Sequence, residues 1–504
     1  MVHILILALA LPMFQFCSRF EELNTDPDNP GQVSAPLLAS GLILGTVSYP
    51  RIGKDFLYKD MLAKYISYME GATGYQYNLI NRTEFYSLVK LTNVEKMVDA
   101  ADGTVSKNSY IALGHFVRAY TFFDLSMRVG DIPYSEALQG ENGIYNPRYD
   151  NQRDIFLGIL HELEMADSLF GIAGFFEGDP VYNGNPAKWQ KATNNLALKI
   201  LLHLWKKTAD PELDVIRRFD DIVRNNHLME SASDNFQLVF SEREVEFYPF
   251  YNSNFRKYPV ISSTISDRMK NLKDYRLFYF AEPADSLLRT GHPGSEWDAY
   301  SGVNPSDDFS EINAHYASGA ISGLNKRYYS LAQGEPLFLL SFQEQCFIIA
   351  EGILRGWTNG DTAGYYYQGI RSAFQFIADH TPDDSLYHHG RKITPEVIET
   401  YLLEDAVSFT GSTEDKLDRI ALQRYFLGFM QDGINSYFEY RRAGKPAWPV
   451  NELTNLNSMK DRIPLRWMYP MKELTNNKKN VEEAITRQYS GNDDVNARMW
   501  ILNN

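Results

Sequence analysis

The residues best suited to recognition chemistry are aromatic rings set among amides and a guanidinium. The window Gly74-Tyr75-Gln76-Tyr77-Asn78-Leu79-Ile80-Asn81-Arg82 places two Tyr, two Asn and one Arg on an expected loop. Trp297-Asp298-Ala299-Tyr300 lies in the longest irregular stretch of the chain. Aromatic faces stack on sugar rings or peptide planes, and Asn, Asp and Arg fix hydroxyls and carbonyls. Tyr75, Tyr77, Arg82, Trp297 and Tyr300 are therefore the expected ligand-binding residues. The competing reading for each is loop packing, because most large side chains are buried.

Catalytic constellations do not emerge. Gly444-Lys445 runs into Pro446 and lacks the earlier glycine of a phosphate loop. His161-Glu162 lacks the second His of a zinc helix. The adjacent His388-His389 would point to different faces of a helix. No G-x-S-x-G elbow occurs. Asp26-Pro27-Asp28 begins like a calcium loop, but Pro30 and the missing acidic twelfth position break it. Carboxylates abound, yet no spacing singles out a glycosidase pair. The expectation is no catalytic residue, no metal and no cofactor. Arg441-Arg442 could clamp an anion; pairing with internal carboxylates is the plainer reading, given the excess of acid.

These residues need a scaffold, and the periodicity says it is helical. Leu113, Phe116, Val117, Tyr120, Phe123 and Met127 recur at threes and fours and share one helix face, which Gly130-Asp131-Ile132-Pro133 stops. Ile155 to Leu169 repeats the pattern. Pro186 opens a third helix in its first turn, where proline is tolerated. Ser341-Phe342-Gln343-Glu344 reads as a capping box ahead of a helix that Gly356 ends. Further helices are expected over Tyr365 to Ile377, from Thr394-Pro395, and over Leu417 to Leu427. Residues 209–330 read as long loops with one short hairpin, and the last 60 residues as mostly irregular. Paired helices with short connectors suggest hairpin units packed side by side. A loop-rich insertion on such a scaffold is a usual place for function.

Bulk properties narrow the partners. A formal net charge of −15 argues against nucleic acid, which needs a basic face. Aromatics make up 14% of the chain, which suits either interfaces or an aromatic core. Two cysteines, Cys17 and Cys346, exclude a zinc cluster of cysteines. Cys346 sits in an apolar helical run and reads as a buried thiol. Cys17 closes the apolar run from Ile4 to Leu11, which is too short to span a bilayer and fits a secretory leader. A diacylglycerol on Cys17 would anchor the chain stably. Residues 18–36, with Asp26-Pro27-Asp28-Asn29-Pro30-Gly31, read as a tether.

Several segments together resemble the SusD/RagB family, in its SusD-like branch. Phe20 to Pro30 is similar to the opening of the family. Gly130-Asp131-Ile132-Pro133-Tyr134-Ser135-Glu136-Ala137-Leu138 matches its most recognisable loop. Pro147 to Gln152, Lys188 to Leu196, Ala350-Glu351, Gly356-Trp357 and Tyr367 to Ile370 follow in order. Tyr440 to Pro446, Ile463-Pro464-Leu465-Arg466, Tyr469-Pro470 and Trp500 complete the series. Two departures occur. Asp274-Tyr275-Arg276-Leu277 stands where the family tends to have Asp-Pro-Arg-Leu, and the chain ends without a double Trp.

The resemblance implies an all-α outer-membrane lipoprotein with tetratricopeptide-like helix pairs beneath a looped ligand face. It implies a leader over 1–16, lipidation at Cys17, a tether over 17–36, and one helical domain over 37–504. It implies delivery of an oligosaccharide or peptide to a SusC-like TonB-dependent transporter at the cell surface, without covalent chemistry. Membrane contact would run through the lipid alone. An intracellular helical-repeat scaffold and an all-helical glycan-degrading enzyme are the competing classes. An unmodified Cys17 would favour the first, and product release from a glycan the second.

Overall fold

The computed structural model describes residues 33–47, 52–225 and 227–504. The expected leader, the acceptor Cys17 and most of the expected tether lie outside the described residues. The first described helix begins at Ala35, within the last residues of the expected tether.

Helices dominate the described residues. We label the principal ones α1 (Ala35–Val47), α2 (Thr92–Ala100), α3 (Lys107–Val129), α4 (Gln152–Phe170), α5 (Pro186–His203) and α6 (Val215–Asn225). The second half adds α7 (Phe342–Leu354), α8 (Thr362–Asp379), α9 (Pro395–Leu403), α10 (Thr413–Leu427), α11 (Gly433–Ala443) and α12 (Lys478–Tyr489). The pairs α3/α4 and α7/α8 have the most extensive contacts. Helix α5 packs on both α4 and α7, and α10 also packs on α7, so the two pairs join into one stack. This is the all-α architecture that the helical periodicity predicts, with the tetratricopeptide-like helix pairs that the family resemblance implies.

Local chemistry sets the ends of these helices. Asn151 and Asn185 cap α4 and α5 with their side-chain oxygens, and Pro186 occupies the first turn of α5. Ser412 and Asp415 form a reciprocal capping box at α10. At α7 only half of the expected box forms. The Ser341 hydroxyl accepts from the Glu344 amide at 3.1 Å, while the Glu344 carboxylate turns inward to Lys199 and Arg424. Gly130 ends α3 at φ 90°, and a side chain there would strike Gln488 and Tyr489.

The middle of the chain differs from the sequence expectation. The strands β2 (Phe236–Leu238) and β3 (Pro259–Ile261) do not form a hairpin with each other. β3 pairs antiparallel with β1 (Ile66–Tyr68), and β2 pairs with β4 (Leu337–Leu340). Helices Ser263–Leu272 and Phe309–Ala317 also interrupt the supposed loops. Short strands need partners for their backbone, and distant segments supply them. The last 60 residues are likewise less irregular than expected, since α12 and the turn Met471–Asn476 lie there.

One apolar core runs through the helical stack. Trp189 is its largest fully buried side chain, and its Nε1–H donates to Asp179 at 2.8 Å. A second, small core of Met69, Val260, Val303, Ile312 and Ile321 lies under the loops. It gives the loop-rich part its own apolar support. Cys346 is fully buried, and burial pushes its thiol up to about 12.

Candidate ligand-binding face

The loop-rich side carries two aromatic groupings. The first is built on the segment Asp274-Tyr275-Arg276. Arg276 folds back onto Asp274 with Nε–O and Nη2–O distances of 2.9 and 2.6 Å, and both are buried. Such a forked pair fixes the turn into the short helix Leu277–Phe280. Tyr275, between the two buried charges, is only half-buried. Trp297 packs against it edge to face and against Phe278, with ring centroids 5.9 and 4.5 Å apart.

Arg391 borders this grouping. Its guanidinium lies 5.6 Å from the Tyr275 ring centre, donates to the Tyr275 hydroxyl at 3.2 Å, and reaches Glu296 at 3.3 Å. Half-buried rings beside a guanidinium and a carboxylate can stack on a flat ligand face while fixing its hydroxyls or carbonyls. Trp297 keeps partial exposure. Tyr300 does not. It is fully buried, packs edge to face on Phe278, and donates its hydroxyl to the Gly294 carbonyl at 2.8 Å. Burial pushes that phenol well above its ordinary range.

The second grouping is the 74–82 window. Gln76 pins it from inside. Its Oε1 accepts from the Tyr68 amide at 3.0 Å, and its carbonyl accepts from the buried Lys64 ammonium. Burial without a carboxylate partner holds Lys64 down to about 7. Tyr77 is almost wholly buried and donates to the Asp307 carbonyl at 3.0 Å. Burial, with Asp308 and Asp307 nearby, pushes its phenol up to about 12. Tyr75 remains half-buried, with its ring 5.1 Å from that of Tyr58. Arg82 is tied to the C-terminal segment. It donates to the Tyr469 carbonyl at 2.7 Å and pairs with Asp493 at 2.8 Å.

The five expected residues thus fall into three places. Trp297 and Tyr300 share Phe278, Tyr75 and Tyr77 share one turn, and Arg82 stands apart in an ion pair. Tyr77 and Tyr300 show almost no surface and brace the loops from within. Tyr275 and Arg391 were missed by sequence reasoning. The signal for Tyr275 was its place in the Asp-Tyr-Arg-Leu departure. Arg391 had none, because its partners are distant in the chain.

The arginine and histidine pairs singled out in the sequence are also placed by the structure. Arg442 is buried and forked onto Glu351 at 2.7 and 2.8 Å, with Glu439 beside it. Arg441 instead donates to the carbonyls of Leu465 and Met127. His388 is buried, and His389 takes a left-handed φ of 49°. Among the described residues, no group of three His, Cys, Asp or Glu could hold a metal ion. No described helix is long and apolar enough to cross a membrane.

A stack of helix pairs carrying a looped aromatic face defines a helical binding scaffold. The family model described as "starch-binding associating with outer membrane" matches residues 44–470, and the chain belongs to this SusD-like family. A solved SusD homolog from Bacteroides fragilis is 42% identical, with a TM-score of 0.91 over 94% of this chain and 100% of its own. A second SusD homolog from the same species is 34% identical, with a TM-score of 0.83 over 94% of this chain and 99% of its own. A chitin-binding SusD homolog from Flavobacterium johnsoniae shares the fold at 19% identity, with a TM-score of 0.68 over 93% of this chain and 98% of its own. No curated protein matches the chain.

Proposed function

We propose that the protein captures an oligosaccharide, or a peptide, at the cell surface and hands it to a SusC-like TonB-dependent transporter, without covalent chemistry. The observation that carries this reading is the family match over residues 44–470, joined to the half-exposed Trp297–Tyr275 grouping on the loop side. The family description speaks of starch, and the Flavobacterium relative of chitin, so a glycan is the first ligand to test. In this reading Trp297, Tyr275 and Tyr75 stack on the ligand, and Arg391 and Arg82 supply donors. Tyr77 and Tyr300 shape the face from beneath. Residues 1–16 act as the leader, acylated Cys17 anchors the chain, 17–36 tether it, and 37–504 act as one domain.

The test is a glycan and peptide array with the purified protein, followed by titration of each hit against the wild type and Trp297→Ala. A hit that Trp297→Ala weakens supports the reading. Turnover of a bound glycan, or Cys17 found unmodified in the native host, would overturn it.

A further inference from the structure

A cavity of about 300 Å³ lies between the C-terminal end of α1 and helices α3 and α11, with Tyr58, the ring neighbour of Tyr75, in its wall. That is the lower end of the range for small-molecule sites, with room for about ten waters. Its walls are partly aromatic, with Phe123 from α3 and Phe438 from α11. Its charged groups balance: Lys90, Arg128 and Lys199 against Asp55, Asp124 and Asp432.

Some of this charge is already committed. Arg128 is forked onto Asp124 through Nε and Nη2, each at 2.9 Å. Lys199 pairs with Glu344 at 3.1 Å. Other capacity is left over. The second Nη of Arg128 has no hydrogen-bond partner among the described residues. Lys90 uses two of its three N–H groups, on the Gly45 carbonyl and the Thr46 hydroxyl. The Asp432 carboxylate accepts one bond, from the Asn435 amide at 3.1 Å, and has no cation within ion-pair distance among the described residues. The Tyr120 hydroxyl also lacks a partner among them.

The cavity thus offers hydrogen-bonding capacity that the protein's own side chains leave open to a polar occupant. The spare groups have two signs and come from three separate segments: helix α3, the turn at Lys90 and the cap of α11. Donors sit on Arg128 and Lys90, and an acceptor on Asp432, with apolar rings between. We propose that this cavity is a second binding site, for a zwitterion with an apolar side chain, of the size of an amino acid or dipeptide. Its carboxylate meets Arg128 and Lys90, its ammonium meets Asp432, and its side chain lies on the aromatic wall. Burial raises the Asp432 pKa, and the charges of Lys199 and Lys59 offset only part of that rise. The inference uses no residue of the surface reading above.

Calorimetric titration of the full chain with glycyl-phenylalanine tests it. N-acetyl-phenylalaninamide has nearly the same outline without the two charges. Saturable binding of the zwitterion, with the capped analogue at least tenfold weaker, is the expected result. Asp432→Asn keeps the cap of α11 and should weaken the zwitterion at least tenfold. Tyr120→Phe, a milder change, should weaken it a few-fold. Trp297→Ala should leave it unchanged. No binding at millimolar dipeptide, equal binding of the capped analogue, or loss in Trp297→Ala would each overturn the proposal.

Discussion

Tyr275 meets Trp297 edge to face, with ring centroids 5.9 Å apart and planes 70° apart. The two residues are far apart in sequence and come together because the buried Asp274–Arg276 pair turns Tyr275 outward. A tyrosine where the family tends to have proline therefore enlarges the aromatic surface at a position that reads as scaffold.

Replacing Tyr275 by Ala should weaken the ligand found on the array by roughly 3–10-fold, the range for one aromatic contact. Trp297→Ala should cost at least as much. A double-mutant cycle by calorimetry should show the two effects to be non-additive, because the rings touch. Additive losses would separate Tyr275 from the platform.

Asp179 holds the start of α5. Its carboxylate accepts from the amides of Val181, Tyr182 and Gly184 and from Trp189 Nε1, at 2.8 to 3.1 Å. Asp179→Ala leaves buried donors unsatisfied and should destabilise the fold by about 3 kcal/mol or more. Urea unfolding measures this. A loss below about 1 kcal/mol would mean that water replaces the carboxylate without cost.

Glu351 sits in a buried ion network with Arg442 and Arg355. Burial alone would raise its pKa, but these two guanidinium groups and that of Arg424 win and hold it down to about 2. The folded pKa is thus below the ordinary value of 4.5. Its stabilising contribution is complete above about 4.5 and is lost as pH falls from there towards 2. Glu351→Gln should cost about 3–5 kcal/mol at neutral pH, because it strands buried guanidinium groups. It should also flatten the acid limb of a stability–pH curve.

Lys64 predicts a slope of the same sign in the alkaline range. Its folded pKa of about 7 lies below the ordinary 10.5, so the unfolded chain binds more protons between these values. Stability from this group rises as pH increases from 7 to 10.5, and the buried charge is a burden below 7. Lys64→Met should remove that slope in denaturant titrations at several pH values. It should also loosen the 74–82 turn, which the Lys64–Gln76 bond ties down. An unchanged slope would assign the alkaline behaviour to another group.

The chain's own residue order determined the helices. Spacing of threes and fours placed α3, α4, α5, α7, α8 and α10 within a few residues, because each helix is stabilised by contacts one turn away and by caps next to it. The family resemblance was legible for the same reason, since its motifs are mostly local turns and helix starts. Only the tertiary structure decided which strands pair, which rings meet and which charges are shared. β3 chooses β1, Trp297 chooses Tyr275 and Phe278, and Arg442 chooses Glu351. Each choice joins segments remote in sequence, and its energy comes from burial that no local pattern encodes. Tyr77 and Tyr300 show the same division. Their aromatic character was plain in the sequence, but whether each ring faces solvent or the interior depended on loops folding over it.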